Sequence, residues 1–203
     1  CYTVGIHPHN AKSMRDDLWS ELERAAQLPG VVAIGECGLD YNRDFSPRDI
    51  QRSVFEQQLA LAAALGKPVY LHERDALEDQ LTILDRHLPS ISAGVLHCFT
   101  ADKSVLAEYL ARDLYVGITG WICDEKRGGD LRDAVSAIPL DRILMETDAP
   151  YLFPKTKRPR AKNNEPAFLP FIGQEVARLM NVTETQLSEH SYRNACTLFG
   201  IGE

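Results

Sequence analysis

Six short runs of apolar or β-branched residues recur along the chain: Tyr2–Ile6, Val31–Ile34, Pro68–Leu71, Ala93–Leu96, Leu114–Ile118 and Arg142–Met145. They are nearly continuous in apolar character and do not alternate with polar residues, as expected of parallel strands covered on both faces. Amphipathic helix patterns fill the intervals. Ser46-Pro47 offers an N-cap followed by proline at the first helical position. Ile50, Val54, Leu61 and Leu65 then share a face, and Gly66-Lys67-Pro68 ends the segment. Leu77, Leu81, Leu84 and Leu88 make a second stripe, and Leu106, Tyr109 and Leu110 a third. Thr183 and Gln186 match a capping box before Leu187.

Strand alternating with helix, about 22 to 37 residues per unit, predicts a parallel α/β fold. A closed TIM-type (β/α) barrel has eight strands, so the barrel reading expects two further units, ~55 residues, upstream of Cys1. The chain also opens inside an apolar, strand-like stretch without a Met or a polar lead-in. The alternative is an open, doubly wound sheet that is complete as it stands. No Gly-rich phosphate loop follows any of the runs, and a polar, ligand-type side chain sits at the end of nearly every one. The expectation is therefore one (β/α)-barrel domain over residues 1–203, N-terminally truncated.

With 203 residues and 44% apolar content, the chain can bury one sizeable core. It has no run of about 18 apolar residues that would span a membrane, and no signal-peptide pattern. Cys1, Cys37, Cys98, Cys123 and Cys196 are odd in number and lack CxxC spacing. They read as reduced thiols of a cytoplasmic protein. A net charge of −7 argues against a sequence-reading DNA-binding module, but not against an enzyme that grips phosphates through metals and a local basic loop.

The chemistry gathers where the runs end. The first leads into His7-Pro8-His9, the second into Gly35-Glu36, the third into His72, the fourth into His97, and the sixth into Glu146-Thr147-Asp148. In a parallel barrel all the C-terminal strand ends open on one face, so residues distant in sequence converge there. Glu36, His72, His97 and Asp148 would supply two carboxylates and two imidazoles, a donor set for one or two divalent cations. A single histidine after a strand is more often structural, and the ligand reading rests on four of the six histidines falling at run ends. His9, two residues past His7, is the weakest member. Asp148 is suited to bind the metal and to accept a proton from the attacking water.

Lys155, Lys157, Arg158, Arg160 and Lys162 place five cations within eight residues after the last ligand run. This basic loop is a natural place for a nucleic-acid backbone. Tyr41, Phe99, Trp121 and Tyr151 also follow run ends, where they could stack unpaired bases.

Gly-Ile-His-Pro-His at 5–9, Ile-Gly-Glu-Cys-Gly-Leu-Asp-Tyr at 34–41 and Leu-His-Glu-Arg-Asp-Ala at 71–76 resemble motifs of the TatD family of metal-dependent deoxyribonucleases. Further matches are Leu-His-Cys-Phe-Thr at 96–100, Gly-Ile-Thr-Gly-Trp at 117–121 and Met-Glu-Thr-Asp-Ala-Pro-Tyr-Leu at 145–152. Asn-Glu-Pro at 164–166 and Asn-Ala-Cys-Thr-Leu-Phe-Gly at 194–200 complete a likeness that runs the length of the chain. Gly-Trp-Ile-Cys-Asp-Glu at 120–125 resembles the bacterial branch more than its paralogues.

The resemblance implies an amidohydrolase-like barrel and a 3′→5′ exonuclease acting on single-stranded DNA and RNA, with a role in DNA repair. It implies Glu36, His72 and His97 as metal ligands, Asp148 as ligand and general base, and His7 as a contact to the scissile phosphate. Magnesium is the expected cation, with manganese and zinc as alternatives. A monomer without membrane attachment is the expected state. Two departures stand out: the His-x-His pair that many members carry on an earlier strand is not in this sequence, and Asn163 stands where the family often has Arg before Asn-Glu-Pro. Two other readings stay open on sequence grounds, a small-molecule amidohydrolase on the same barrel and an inactive barrel fragment that binds or scaffolds. The first lacks a strand-end Lys that carbamylation could turn into a metal bridge, since Lys67 precedes its strand.

Overall fold

The computed structural model describes residues 1–202, which fall into two compact units. The first comprises Cys1–His97 with Leu198–Gly200, and the second Cys98–Thr197 with Ile201 and Gly202.

In the first unit, β1 (Tyr2–Val4), β2 (Val31–Asp40), β3 (Val69–Arg74) and β4 (Gly94–Leu96) pair in that order, all parallel. Helices α1 (Asp16–Ala26), α2 (Arg48–Leu65) and α3 (Leu77–His87) connect them. Their facing surfaces bury Ala33, Ile34, Leu39, Phe55, Leu59, Leu71 and Leu84. As the sequence predicts, Gly66 closes α2 in the left-handed conformation at φ 63°.

Two features of α2 differ from expectation. Its buried face is Gln51, Val54, Phe55, Gln58, Leu59, Leu61 and Ala62, whereas Ile50 is exposed. Polar side chains hold the inner face because they bind the backbone of neighbouring segments. Gln58 accepts a hydrogen bond from the Ile6 N–H at 2.6 Å and donates to the Ile6 carbonyl at 3.1 Å. Ser46 does not cap the helix. Its hydroxyl donates to the His9 carbonyl at 2.9 Å and accepts from the Lys12 N–H at 3.1 Å, which fixes the short 3-10 turn Pro8–Ser13. A cap residue by pattern thus positions the segment that carries His7 and His9.

The second unit holds the parallel pair β5 (Tyr115–Ile118) and β6 (Ile143–Met145), with Gly117 opposite Leu144. Around it lie α4 (Lys103–Leu110), α5 (Gly129–Ala134), α6 (Leu169–Met180) and α7 (Glu184–Phe199). The Asp102 carboxylate caps α4 by accepting from the Ser104 and Val105 N–H groups. The capping box of α7 forms as read: the Gln186 N–H donates to Thr183 Oγ1 at 3.1 Å, and the Thr183 N–H donates to Gln186 Oε1 at 3.0 Å. Leu106, Ile118, Ile122, Leu131, Ile143, Ile172 and Val176 fill this core. Among the described residues no helix is long and apolar enough to cross a membrane.

Candidate metal centre

The strands carry the site differently from the sequence expectation. β2 continues to Asp40 and β3 to Arg74, so Glu36 and His72 lie within strands and not beyond their ends. A bulge makes this workable. Gly35 pairs with Tyr70 and Cys37 with Leu71, which leaves Glu36 as the extra residue of β2. Glycine is required on both sides. Gly35 and Gly38 have φ of 145° and 141°, and a Cβ would lie 2.2 Å from the Tyr70 carbonyl oxygen and 1.9 Å from that of His72, respectively. Next door, burial pushes the Cys37 thiol pKa up and keeps that cysteine inert.

Glu36 Oε1 is the focus of the first unit. His72 Nδ1 lies 2.7 Å from it, His7 Nε2 3.4 Å and His97 Nε2 3.9 Å. A second carboxylate, Asp40, stands behind. Its Oδ2 meets His9 Nε2 at 2.6 Å and His72 Nε2 at 3.3 Å, while Oδ1 accepts from the Asn42 and Arg43 N–H groups. Gln51 of α2 holds the Asp40 backbone through both its N–H and its carbonyl. Asp40 is 2% exposed.

These contacts set the charge states. Burial works to raise the Glu36 pKa, but hydrogen bonds from His7 and His72, with the charges of His97 and His72, hold it well below the usual carboxylate range. Asp40 is held low in the same way: burial opposes ionisation, and His72, the Arg43 N–H and His9 outweigh it. Burial alone would lower the His72 pKa, yet its two carboxylate partners raise it.

They also set which ring nitrogen faces outward. The His97 Nδ1 is taken by the Tyr70 hydroxyl at 2.8 Å, leaving Nε2 toward Glu36. His72 is the reverse: Asp40 faces Nε2 and Glu36 faces Nδ1. Carboxylate and hydroxyl partners of this kind orient metal-ligating histidines. His7 lies within ligand reach of Glu36 and His72, all within 4.8 Å. Its Nδ1, however, accepts the His9 N–H at 3.1 Å, so a neutral ring carries its proton on Nε2 and acts there as a donor. Glu36, His72 and His97 thus gather oxygen and nitrogen donors of the kind that suit a divalent cation, while His7 presents an N–H beside them. Asp40 and Tyr70 are the partners that sequence reasoning missed. Asp40 sits inside the 34–41 motif, four residues after Glu36 on the same strand, and that spacing was the available signal.

The second unit holds Asp148, in left-handed backbone at φ 56° just after β6. Glu146 Oε2 accepts from the Cys98 N–H at 3.0 Å, and Gly117 leaves the space that this carboxylate fills, since a Cβ there would lie 2.3 Å from Oε1. Cys98 Sγ and an Asp148 carboxylate oxygen are within 4.8 Å of each other. The buried Asn164 amide donates to the Thr147 carbonyl at 2.7 Å and to that of Leu152 at 3.3 Å, tying both flanks of Asp148 to the Asn-Glu-Pro motif.

The basic loop is less free than its composition suggests. Lys155 Nζ pairs with Asp124 Oδ2 at 2.6 Å. Lys157 Nζ lies 4.3 Å from the Phe168 ring centre, 5.7 Å from that of Phe171 and 5.9 Å from that of Phe153. Arg158 turns back onto the Lys155 and Lys157 carbonyls. Arg160 is exposed. Of the aromatic residues, Phe99 is buried and Tyr41 donates to Asp79, while Trp121 and Tyr151 reach the surface.

Comparison with known proteins identifies the family. The model of the family described as TatD related DNase matches residues 1–200. A protein of Erwinia amylovora named 3′-5′ ssDNA/RNA exonuclease TatD is 51% identical over 201 residues, covering 98% of this chain and 78% of its own length. One of the same name from Citrobacter rodentium is 47% identical, covering 98% and 76%. Among solved structures, the TatD homologue YjjV of Escherichia coli K12 superimposes with a TM-score of 0.89 at 27% identity, covering 98% of this chain and 76% of its own. A TatD family hydrolase of Entamoeba histolytica shares the fold with a TM-score of 0.85 at 23% identity. The fold class is the TIM-type α/β barrel of the amidohydrolase-like superfamily. This chain belongs to the TatD family of deoxyribonucleases.

Proposed function

We propose that the protein is a divalent-metal-dependent nuclease that hydrolyses phosphodiester bonds of single-stranded DNA and RNA from the 3′ end. The observation that carries this reading is the convergence of His72, His7 and His97 on one oxygen of Glu36, within 2.7 to 3.9 Å. Relatives at about half identity carry the name of a 3′-5′ ssDNA/RNA exonuclease, which supports the substrate class.

Glu36, His72 and His97 would hold the cation. When bound, it supplies charge neutralisation at the phosphodiester and a lowered pKa for the attacking water. His7 Nε2–H donates to a non-bridging phosphate oxygen, a role supported by the acceptor duty of its Nδ1. Asp148 accepts the proton of the attacking water and returns it to the leaving sugar oxygen as the P–O bond breaks. Magnesium is the proposed cation because nucleolytic sites commonly use it, with manganese and zinc as the competitors that imidazole ligands admit. The small-molecule amidohydrolase reading finds no support at Lys67, whose Nζ donates to the Val31 carbonyl at 2.5 Å, at the start of β2.

A cytoplasmic location and a role in trimming single-stranded ends during DNA repair complete the proposal. Five cysteines without a disulfide support the former. The test is digestion of a 5′-labelled single strand with magnesium, manganese or zinc and with a chelator. Stepwise shortening that a chelator abolishes, and that Glu36→Gln and Asp148→Asn each reduce at least 100-fold, is expected. Equal digestion by wild type and both variants would overturn the reading.

A further inference from the structure

The loops that follow β5 and β6 form a cavity of about 240 Å³ lined by Trp121, Asp124, Arg127, Phe153, Lys155 and Arg160 among others. The loops are locked together. A Cβ on Gly120 would lie 1.9 Å from the Leu152 carbonyl oxygen, and one on Gly128 would lie 2.7 Å from that of Trp121. Both loops leave the C-terminal ends of their strands, the end from which Asp148 also projects.

The charges in this cavity are organised. The Asp124 side chain is 4% exposed, and its Oδ2 receives both Arg127 Nε and Lys155 Nζ at 2.6 Å. One buried carboxylate thereby orients two cations, and with Arg160 the wall carries a net excess of positive charge in a chain of net −7. The Arg127 guanidinium lies over the Trp121 ring, 4.4 Å from its centre, while Arg127 itself is exposed. A guanidinium placed over an indole offers a cationic surface beside an aromatic one, and the Arg127 side chain is 57% exposed. Flat cationic or aromatic surfaces beside a positive groove are how unpaired bases and their phosphates are held without regard to sequence.

We infer that this cavity is a nucleotide subsite for the single strand, with a base stacked on the Arg127–Trp121 platform and a phosphate held by Lys155 and Arg160. The inference rests on the nuclease reading for its substrate, but its geometry lies wholly in the second unit. Asp124 is a positioning residue there, acting through Arg127 and Lys155.

The experiment measures binding of a labelled oligo-dT to the full chain in chelator, by fluorescence anisotropy across a salt series. Arg127→Ala is expected to weaken binding about 10-fold with little change in the slope of log affinity against log salt. Trp121→Ala should weaken binding about 10-fold with the slope unchanged, because stacking releases no counterion. Arg160→Ala, at an exposed position, should lower the slope by about one and serves if Arg127→Ala does not fold. Arg193→Ala removes a cation from exposed α7 and should change affinity less than two-fold.

Pocket variants that bind like Arg193→Ala would overturn the subsite even if the wild type digests DNA. Wild type that binds with the expected pocket dependence but digests nothing with any cation supports the subsite and overturns the nuclease reading alone.

Discussion

The Asp40 carboxylate and the His72 imidazole meet at 3.3 Å, Oδ2 to Nε2, and this contact leaves the other ring nitrogen of His72 to face Glu36. Asp40 therefore acts on a cation through His72. Asp40→Asn keeps the size of the side chain but removes its charge. It is expected to weaken cation binding about 10- to 100-fold, measured by titration calorimetry. With a cation present, nitrogen-15 spectra of the histidines should show His72 as the Nε2–H tautomer in the wild type and as a mixture in the variant. Unchanged affinity and tautomer would remove Asp40 from the centre.

Protons and cations compete for His72 Nδ1. The His72 pKa is raised in the fold, so its stabilising pairing is full below the ordinary histidine value of about 6.5 and is lost as pH climbs through the raised value. Cation affinity should accordingly increase with pH across the neutral region, with proton release seen as buffer-dependent heats. Glu36 and Asp40 behave oppositely. Their lowered pKa values add stability above about pH 4, and that stability drains away as acid approaches the lowered values. Thermal unfolding in chelator from pH 3 to 9 checks both arms, and an acid-stable, flat profile would contradict them.

Lys157 belongs to the fold more than to the substrate. Its ammonium sits among Phe153, Phe168 and Phe171, an arrangement worth roughly 0.5–2 kcal/mol. Lys157→Ala should accelerate proteolysis within residues 153–162 and lower the unfolding temperature, yet leave the salt slope of oligonucleotide binding unchanged. A slope reduced by about one would return Lys157 to the phosphate-binding role its sequence position suggests.

Gly38→Ala tests the bulged strand. With φ at 141° and the His72 carbonyl oxygen 1.9 Å from the added carbon, the backbone must shift. A loss of about 2–4 kcal/mol is expected from strain and crowding. Because the obstructing group is the His72 carbonyl, cation affinity should fall together with stability in chemical-denaturation and calorimetric measurements. Near-neutral stability would mean that β2 tolerates a side chain there.

The alternation of apolar runs with helix patterns made the parallel α/β class legible, because buried strands and capped helices are local signals. The gathering of Glu36, His72 and His97 was legible because ligand-type residues rarely punctuate consecutive strands by chance. The place of Glu36 and His72 within their strands was not. A bulge depends on cross-strand register, which no single segment encodes. Asp40 was hidden for a related reason, since its role appears only once His9 and His72 reach it from other segments. Lys155 and Lys157 look like free cations in sequence, and only the fold brings Asp124 and the three phenyl rings to them. Ser46 reads as a helix cap from its neighbours, although its hydroxyl serves the His9 carbonyl.

The ladder between β2 and β3 is complete from Ile34 to Asp40 without residue 36, which no partner on β3 opposes. The scaffold and the proposed ligand are therefore separable at that point: Glu36 is a residue the sheet does not count. A lineage could discard the chemistry and keep the architecture by dropping a single codon.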